Sequence, residues 1–183
     1  MYIFLFPLLV GFIFNCASAW TTFYSRRWGE RRGSIVTVVL RDILGIPVWA
    51  IGFALAARAQ SPLIFARTTV TNVAGIFLIV VGSAIIIVAL VTIRSKAAAP
   101  SLKDGLVKSG AYARVRHPIH SGTFLEFAGL FLLRPIVPVA VACALGTIWI
   151  FFQSSLEESD LVQRIPAYRE YMKEVPRFLP RRR

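Results

Sequence analysis

Long apolar runs alternate with shorter basic segments along this chain. An uncharged or nearly uncharged run of about 20 residues is long enough to cross the hydrocarbon core of a bilayer as a helix. The apolar runs cover residues 1–20, 35–57, 70–93, 118–133 and 136–152. The pattern predicts an all-α polytopic membrane protein with five transmembrane helices, a C-terminal helical hairpin and an amphipathic tail.

Two of the five runs are irregular. The first, Met1–Trp20, ends near Ala17-Ser18-Ala19, which resembles a signal-peptide cleavage site, but no Lys or Arg precedes it. A signal peptide needs a positive n-region, so a first transmembrane helix is the favoured interpretation. The fourth run, Pro118–Leu133, is short and is followed by Arg134-Pro135, which predicts a hairpin whose first leg does not cross fully.

The second run contains Arg41 and Asp42. Arg41 lies near one end of the run, where a long side chain can reach the interface. A carboxylate within a membrane helix is a functional candidate, although an ion pair of Asp42 with Arg41 or with another helix is the simpler explanation. The sequence leaves both interpretations open.

Composition supports the membrane assignment. Hydrophobic residues make up 56% of the 183 residues, charged residues 16%, and the formal net charge is +12. Soluble domains carry about 25% charged residues, so an ordinary soluble fold is excluded. Cys16 and Cys143 both lie in apolar runs, which favours small buried residues over a disulfide or a metal site.

The position of the charges predicts the orientation. Seventeen of the 21 Lys and Arg residues lie in 21–34, in 94–116 or after residue 153. Cytoplasmic loops are enriched in Lys and Arg, so we expect the N-terminus outside and these segments, with the C-terminus and any site that they build, in the cytoplasm. This bias explains the net charge without nucleic acid as a partner, and the terminal Arg181-Arg182-Arg183 fits a membrane-surface anchor.

We expect one membrane domain over 1–183, with three transmembrane helices in 1–93 and a polar segment, hairpin and tail in 94–183. Within the second part, Ala97-Ala98-Ala99-Pro100 predicts a linker.

The segment Gly110–Gly122 contains both histidines of the chain and leads into the fourth apolar run. Pro118 suits the first turn of a helix, because its missing N–H would have no partner there. Arg116 and His117 would then lie at the helix entrance, beside free backbone N–H groups and the positive end of the dipole. Such an entrance favours an anionic or electron-rich ligand.

The polar tail supplies the opposite charges. Glu157, Glu158 and Asp160 are predicted to cap the end of the fifth helix, and a short helix with Tyr168 and Tyr171 on one face is predicted between Pro166 and Pro176. Because both segments flank one hairpin, we expect the two glutamates to face Arg116 and His117. Convergent acids and bases indicate either a binding site or a structural ion-pair cluster.

The ordered motifs carry a family resemblance. Gly-x-Tyr-x-x-x-Arg-His-Pro, an apolar hairpin, Glu-Glu-x-x-Leu, Tyr-x-x-Tyr and Val-Pro-x-x-x-Pro span residues 106–180. This half of the chain resembles the isoprenylcysteine carboxyl methyltransferase and phospholipid methyltransferase family. The resemblance implies a membrane methyltransferase that uses S-adenosylmethionine, bound between the segment before the hairpin and the tail, and a lipophilic acceptor.

The resemblance also implies site residues. Cofactor-binding candidates are Tyr112, Arg116, His117, Pro118, His120, Glu157, Glu158, Leu161, Tyr168 and Tyr171. Catalytic candidates are Arg116, His117 and Glu126, and no metal is expected. His117 or His120 is suited to act as a base if the acceptor carries a proton. Glu126 lies on one helix face with Gly122 and Gly129, where it lines an acceptor channel or pairs with Arg41.

Two positions depart from the family pattern. His120 stands where the family usually has Tyr, and Gln153-Ser154-Ser155 stands where members acting on isoprenylcysteine carry an Arg. Two other functions therefore stay open: an NADPH-dependent sterol-type reductase, which shares an Arg-His pair before a membrane segment, and a non-enzymatic membrane accessory protein.

Overall fold

The computed structural model describes residues 2–93 and 100–181, and the secondary structure in these ranges is almost entirely helical. The predicted linker residues 97–99 and the arginines at 182 and 183 lie outside these ranges. The elements in chain order are α1 (Leu5–Ser18), α2 (Thr21–Trp28), α3 (Glu30–Val38), a π-helical segment (Val39–Gly45), α4 (Ile46–Arg58), α5 (Thr69–Ile93), a 3₁₀ turn (Gly110–Ala113), α6 (Pro118–Leu133), α7 (Val137–Arg164) and α8 (Tyr168–Glu174).

Apolar helices of membrane-spanning length indicate an integral membrane protein. In the described ranges, three continuous helices qualify by length and composition, and they run over Glu30–Arg58, Thr69–Ile93 and Val137–Arg164. A fourth qualifies if α1 and α2, which are bent by 62° relative to each other, form one span. Helix α6 has only 16 residues, as expected for a short hairpin leg. The predicted number of five crossings stays a prediction.

Helix α7 is longer than the sequence pattern predicted. The apolar run ends at Phe152, yet the helix continues to Arg164, because no glycine or proline occurs between Gly146 and Pro166. The prediction that the acidic residues cap the helix end was therefore wrong. They lie within the last turns of α7, which carries them beyond the apolar part of the helix and next to the tail.

Helices α1, α4, α6 and α7 enclose the main apolar core. Phe12 of α1 stacks on Trp149 of α7 with ring centroids 4.7 Å apart, and Phe53 of α4 stacks on Phe127 of α6 at 4.9 Å. Leu8 and Ile150 are completely buried in the same cluster. This packing holds the N-terminal half of the chain against the hairpin that the family motifs flank.

Helices α5 and α6 touch through glycines, as the small residues of α5 predicted. A Cβ atom on Gly122 would lie 2.5 Å from the carbonyl oxygen of Gly82, and one on Gly129 would lie 2.6 Å from that of Gly75. The two backbones therefore approach more closely than any side chain allows. Glu126 lies on this face of α6 and accepts a 2.7 Å hydrogen bond from Ser83 Oγ.

Candidate functional site

The segment before α6 and the tail after α8 are joined by backbone hydrogen bonds. The N–H of Arg116 donates to the carbonyl of Pro176 at 2.9 Å, and the N–H of His117 donates to that of Arg177 at 3.0 Å. One turn into α6, Ser121 Oγ donates to the carbonyl of Phe178 at 2.8 Å. This confirms the prediction that the two polar segments on either side of the hairpin meet.

Glu158 is the electrostatic centre of this junction. Its side chain is only 3% exposed and accepts hydrogen bonds from Arg116 Nε at 2.9 Å and His117 Nε2 at 3.1 Å. The guanidinium of Arg177 contacts both carboxylate oxygens. A buried carboxylate is stable only when it is paired and hydrogen-bonded, and three cationic groups meet that need here.

Arg116 connects the carboxylate to the end of α8. Its NH1 atom donates to the carbonyl of Met172 at 2.8 Å and also to the carbonyl of Val175. Both carbonyls lie at the C-terminal end of α8, where Val175 is the C-cap residue. No further helical turn supplies an N–H partner for them. A planar guanidinium can serve both carbonyls and Glu158 at once because its donors form a rigid fork.

His117 lies between two carboxylates. Its Nε2 faces Glu158, and its Nδ1 lies 3.4 Å from Glu157 Oε2. Burial by itself would lower the pKa of His117, but the hydrogen bonds and charges of Glu157 and Glu158 outweigh burial and raise this pKa above its usual value. A carboxylate beside each ring nitrogen therefore favours the protonated form of the imidazole.

The three tyrosines line the same region as neutral groups. Tyr171 is buried and donates from its hydroxyl to the carbonyl of Tyr112 at 2.6 Å. Burial raises the pKa of Tyr171 to about 12, and burial likewise raises the pKa values of Tyr112 and Tyr168. The predicted apolar face of α8 is confirmed, since Tyr168 packs edge-on to Tyr171 at 5.4 Å.

A cavity of about 480 Å³ opens beside these residues. Eight of the ten predicted cofactor-binding residues line it, namely Tyr112, Arg116, His117, His120, Glu157, Leu161, Tyr168 and Tyr171. Its far end is lined by residues of α1, of Glu30–Arg58 and of α5, including Asn15, Arg41, Asp42, Trp49, Ile86 and Leu90. The cavity therefore runs from the polar junction into the region of the membrane helices.

Three predicted site residues do not line this cavity. Pro118 is buried at the first turn of α6, with His117 as the N-cap, which confirms the predicted helix start. Glu158 lies behind the cavity wall, where its oxygens are used by Arg116, His117 and Arg177. Glu126 lies at the contact between α5 and α6, so the structure does not bring it together with His117.

Sequence inspection missed several residues of the cavity and its frame. Asp104 and Asp160 line the cavity and both pair with Arg164, at 3.0 and 3.1 Å. The backbone N–H of Thr22 donates to Asp160 at 2.8 Å, which connects α2 to α7.

Arg177 was missed as well. It stands inside the Val-Pro-x-x-x-Pro motif, whose variable positions gave no signal of its role. Charged residues in a predicted tail are indistinguishable from surface charges until the tail is folded back.

Asp42 forms the ion pair that the simpler explanation predicted. Arg41 Nε and NH2 donate to its two carboxylate oxygens at 2.8 and 2.9 Å. Both residues belong to the π-helical segment Val39–Gly45 and both line the cavity. Single π-helical turns inside α-helices are frequent at functional sites, because they change the direction of the side chains that follow.

One cluster in the described ranges has the composition of a metal site. His117, His120 and Glu157 each offer a ligand atom, and these atoms lie within 4.8 Å of one another. Two imidazoles and a carboxylate are a familiar ligand set for zinc. A metal ion binds a neutral imidazole, however, and the carboxylates beside both nitrogens of His117 raise its pKa and favour the protonated form instead.

Comparison with known proteins identifies the family. Residues 70–169, more than half of the chain, match the family described as phospholipid methyltransferase. No curated protein and no solved structure matches the chain significantly. The matched region includes the entrance of α6, the hairpin and the glutamates of α7, and so confirms the resemblance seen in the motifs. The chain therefore belongs to the phospholipid methyltransferase family and is a membrane methyltransferase.

Proposed function

We propose that the protein transfers a methyl group from S-adenosylmethionine to a lipophilic acceptor that enters from the bilayer. The single observation that carries the proposal is the cavity, whose charged end is built by the family motifs and whose other end lies among apolar helices. Its volume falls in the range of about 300–1,000 Å³ typical of cofactor and small-molecule sites. Family membership favours methyl transfer over the reductase and the non-enzymatic alternatives.

The charges that line the cavity fit a ligand with both signs of charge. Asp42 is paired with Arg41, and Asp104 and Asp160 are paired with Arg164. Glu157 is more accessible than its buried neighbour Glu158: its side chain is 34% exposed, and it contacts His117 and accepts a 2.8 Å hydrogen bond from the neutral Gln153. We therefore assign Glu157, rather than Glu158, to the cationic groups of the cofactor, and the entrance of α6, beside Arg116, to its carboxylate.

The bound cofactor supplies an electrophilic methyl group on a sulfonium. The chain's own task is to align the acceptor and to exclude water, which can account for most of the acceleration in such a transfer. Tyr168 and Tyr171 close the polar end of the cavity with buried rings. If the acceptor carries a proton, His120 receives it at Nδ1, which is buried and has no hydrogen-bond partner among the described residues.

We also propose the topology predicted from the charges, with one membrane domain, five crossings and the polar end of the cavity on the cytoplasmic side. The excess of Lys and Arg on the segments that build this end supports the orientation. Labelling of single cysteines introduced at the exposed positions 27 and 60, in a chain without Cys16 and Cys143, tests it in sealed cells, because the two segments are expected on opposite sides.

The charge-neutral change Glu157→Gln should weaken S-adenosylmethionine binding at least about tenfold, because it removes the carboxylate that faces the cofactor's cations. Binding is measured on the detergent-purified chain, with NADPH as competitor. Glu170→Gln is the matched control, since Glu170 is 67% exposed on α8 and pairs only with Lys173 in the described structure. Displacement by NADPH, or parent-like binding by the Glu157 variant, contradicts the proposal.

Treatment with a chelator should leave S-adenosylmethionine binding unchanged. The reason is that Glu157 and Glu158 flank the two nitrogens of His117 and raise its pKa, and a protonated imidazole cannot ligate a metal ion. Elemental analysis of the purified chain before and after chelation measures metal content beside binding. Stoichiometric zinc that is lost together with cofactor binding would show that the cluster with His120 and Glu157 is a metal centre.

A further inference from the structure

The far end of the cavity is built by the half of the chain that the family match does not cover. Asn15, Arg41, Asp42 and Trp49 line it, and all precede residue 70, where the match begins. The family match therefore gives no role to this wall.

Asn15 has a buried donor without a partner. Its side chain is 5% exposed, and its amide nitrogen Nδ2 has no hydrogen-bond partner in the described structure. Nδ2 lies beside Gly45 at the end of the π-helical segment, where a Cβ atom on Gly45 would be only 2.5 Å away. The glycine thus leaves the space that the amide occupies at the cavity wall.

Trp49, which lies one helical turn after Gly45, supplies a second buried donor. Its indole Nε1–H is buried and also has no partner among the described residues. The Trp49 ring lies 6.0 Å from that of Trp149, which lies 6.1 Å from the imidazole of His120. A continuous aromatic wall therefore leads from the Asn15 and Trp49 donors to the histidines at the polar end.

Unpartnered buried N–H groups are rare in folded proteins. The donors of Asn15 and Trp49, with the indole Nε1 of Trp149 in the same cavity wall, therefore indicate an oxygen atom supplied from outside. The charge nearby is balanced, because Arg41 and Asp42 form a two-fold hydrogen-bonded ion pair. Ile46, Ile86 and Leu90 make the remaining wall apolar. An anion would be poorly compensated in such surroundings, whereas a neutral carbonyl or hydroxyl oxygen fits both donors.

We propose that Asn15 and Trp49 form an acceptor subsite that binds a neutral carbonyl or hydroxyl oxygen of an amphiphilic substrate. The proposal rests on the proposed methyltransferase function and specifies its acceptor. The subsite selects the acceptor and takes no part in holding the cofactor.

Binding of radiolabelled 1-dodecanol and methyl dodecanoate to the purified full-length chain tests the subsite, with dodecylamine and dodecyl phosphate as charged probes of equal chain length. We expect the neutral probes to bind at least about fivefold more tightly than the charged ones. Asn15→Leu and Trp49→Phe should each weaken the neutral probes about 2- to 10-fold, which corresponds to one net hydrogen bond. The alcohol and ester probes distinguish the two oxygen types.

Asn72→Leu and Trp28→Phe are the matched controls, because both residues lie outside the cavity. Trp49→Phe removes the five-membered ring that carries the N–H and keeps a six-membered aromatic ring. This variant therefore still tests the subsite if Asn15→Leu misfolds. Unchanged binding of the neutral probes in the Trp49 variant, or equal binding of dodecylamine by the parent, overturns the subsite. S-adenosylmethionine binding is measured in parallel: its absence in the parent overturns the proposed function, while the probe data still judge the subsite.

Discussion

Replacing Glu158 by alanine should abolish detectable S-adenosylmethionine binding and lower the free energy of unfolding by about 3–5 kcal/mol, the usual effect of removing one partner from a buried ion pair. The carboxylate is 3% exposed, and its partner Arg116 is 10% exposed. Without Glu158, the cations of Arg116, His117 and Arg177 would lie together with no common counter-charge. Thermal unfolding in detergent and equilibrium binding of the cofactor measure the two effects.

The exposed pair of Lys108 with Glu174 provides the control. These atoms are 3.3 Å apart, and the Glu174 side chain is 64% exposed, so Glu174→Ala should change stability by less than about 1 kcal/mol. Glu158→Gln separates charge from shape, because it keeps the volume but cannot balance three cations. If Glu158→Ala melts at the parent temperature, the carboxylate does not organise the site as described.

Adding a single methyl group at Gly122 should destabilise the protein by about 1–3 kcal/mol, although alanine is intrinsically the better helix former by about 1 kcal/mol. The new Cβ would lie 2.5 Å from the carbonyl oxygen of Gly82, and Gly82 would meet the carbonyl of Gly122 at 2.6 Å in the same way. Either contact forces α5 and α6 apart, because backbone atoms on both sides cannot yield independently. Gly122→Val should have the larger effect.

Melting temperature and the fraction of monodisperse protein in detergent report this loss. Ala128→Val is the matched control: it adds methyl groups to the same helix at an exposed position. A Gly122→Ala variant that is as stable as the parent, or more stable, would mean that the two helices separate without loss and that the close contact is not a determinant of the fold.

Much of the second half was predictable from the sequence because its signals are local. Pro118 marks the start of α6, Arg134-Pro135 marks the turn of the hairpin, and the prolines at 166 and 176 bracket α8. These features depend on the geometry of proline and on hydrophobic runs. The meeting of the two polar segments followed from the hairpin alone, since its two ends return to one side.

The remaining features depend on tertiary contacts that no local pattern encodes. The 62° bend between α1 and α2 occurs without a proline at the break. The rotation of α7 about its axis decides that Glu157 lines the cavity and Glu158 does not. Arg177 becomes significant through its contact with Glu158, and Asn15 through a buried amide nitrogen without a partner in the described structure. Single residues of this kind cannot be distinguished from ordinary surface or core residues by their spacing.

The hydrogen bonds that Arg116 donates to the carbonyls of Met172, Val175 and Pro176 have a consequence for biosynthesis. Translation proceeds from the N-terminus, and membrane helices are inserted in the order in which they are made. The carbonyl acceptors of Arg116 and His117 are therefore synthesised after every helix of the bundle. The junction around Glu158 therefore cannot form until residues 172–177 have emerged from the ribosome, so the candidate site is completed only after the helices of the hairpin have been made.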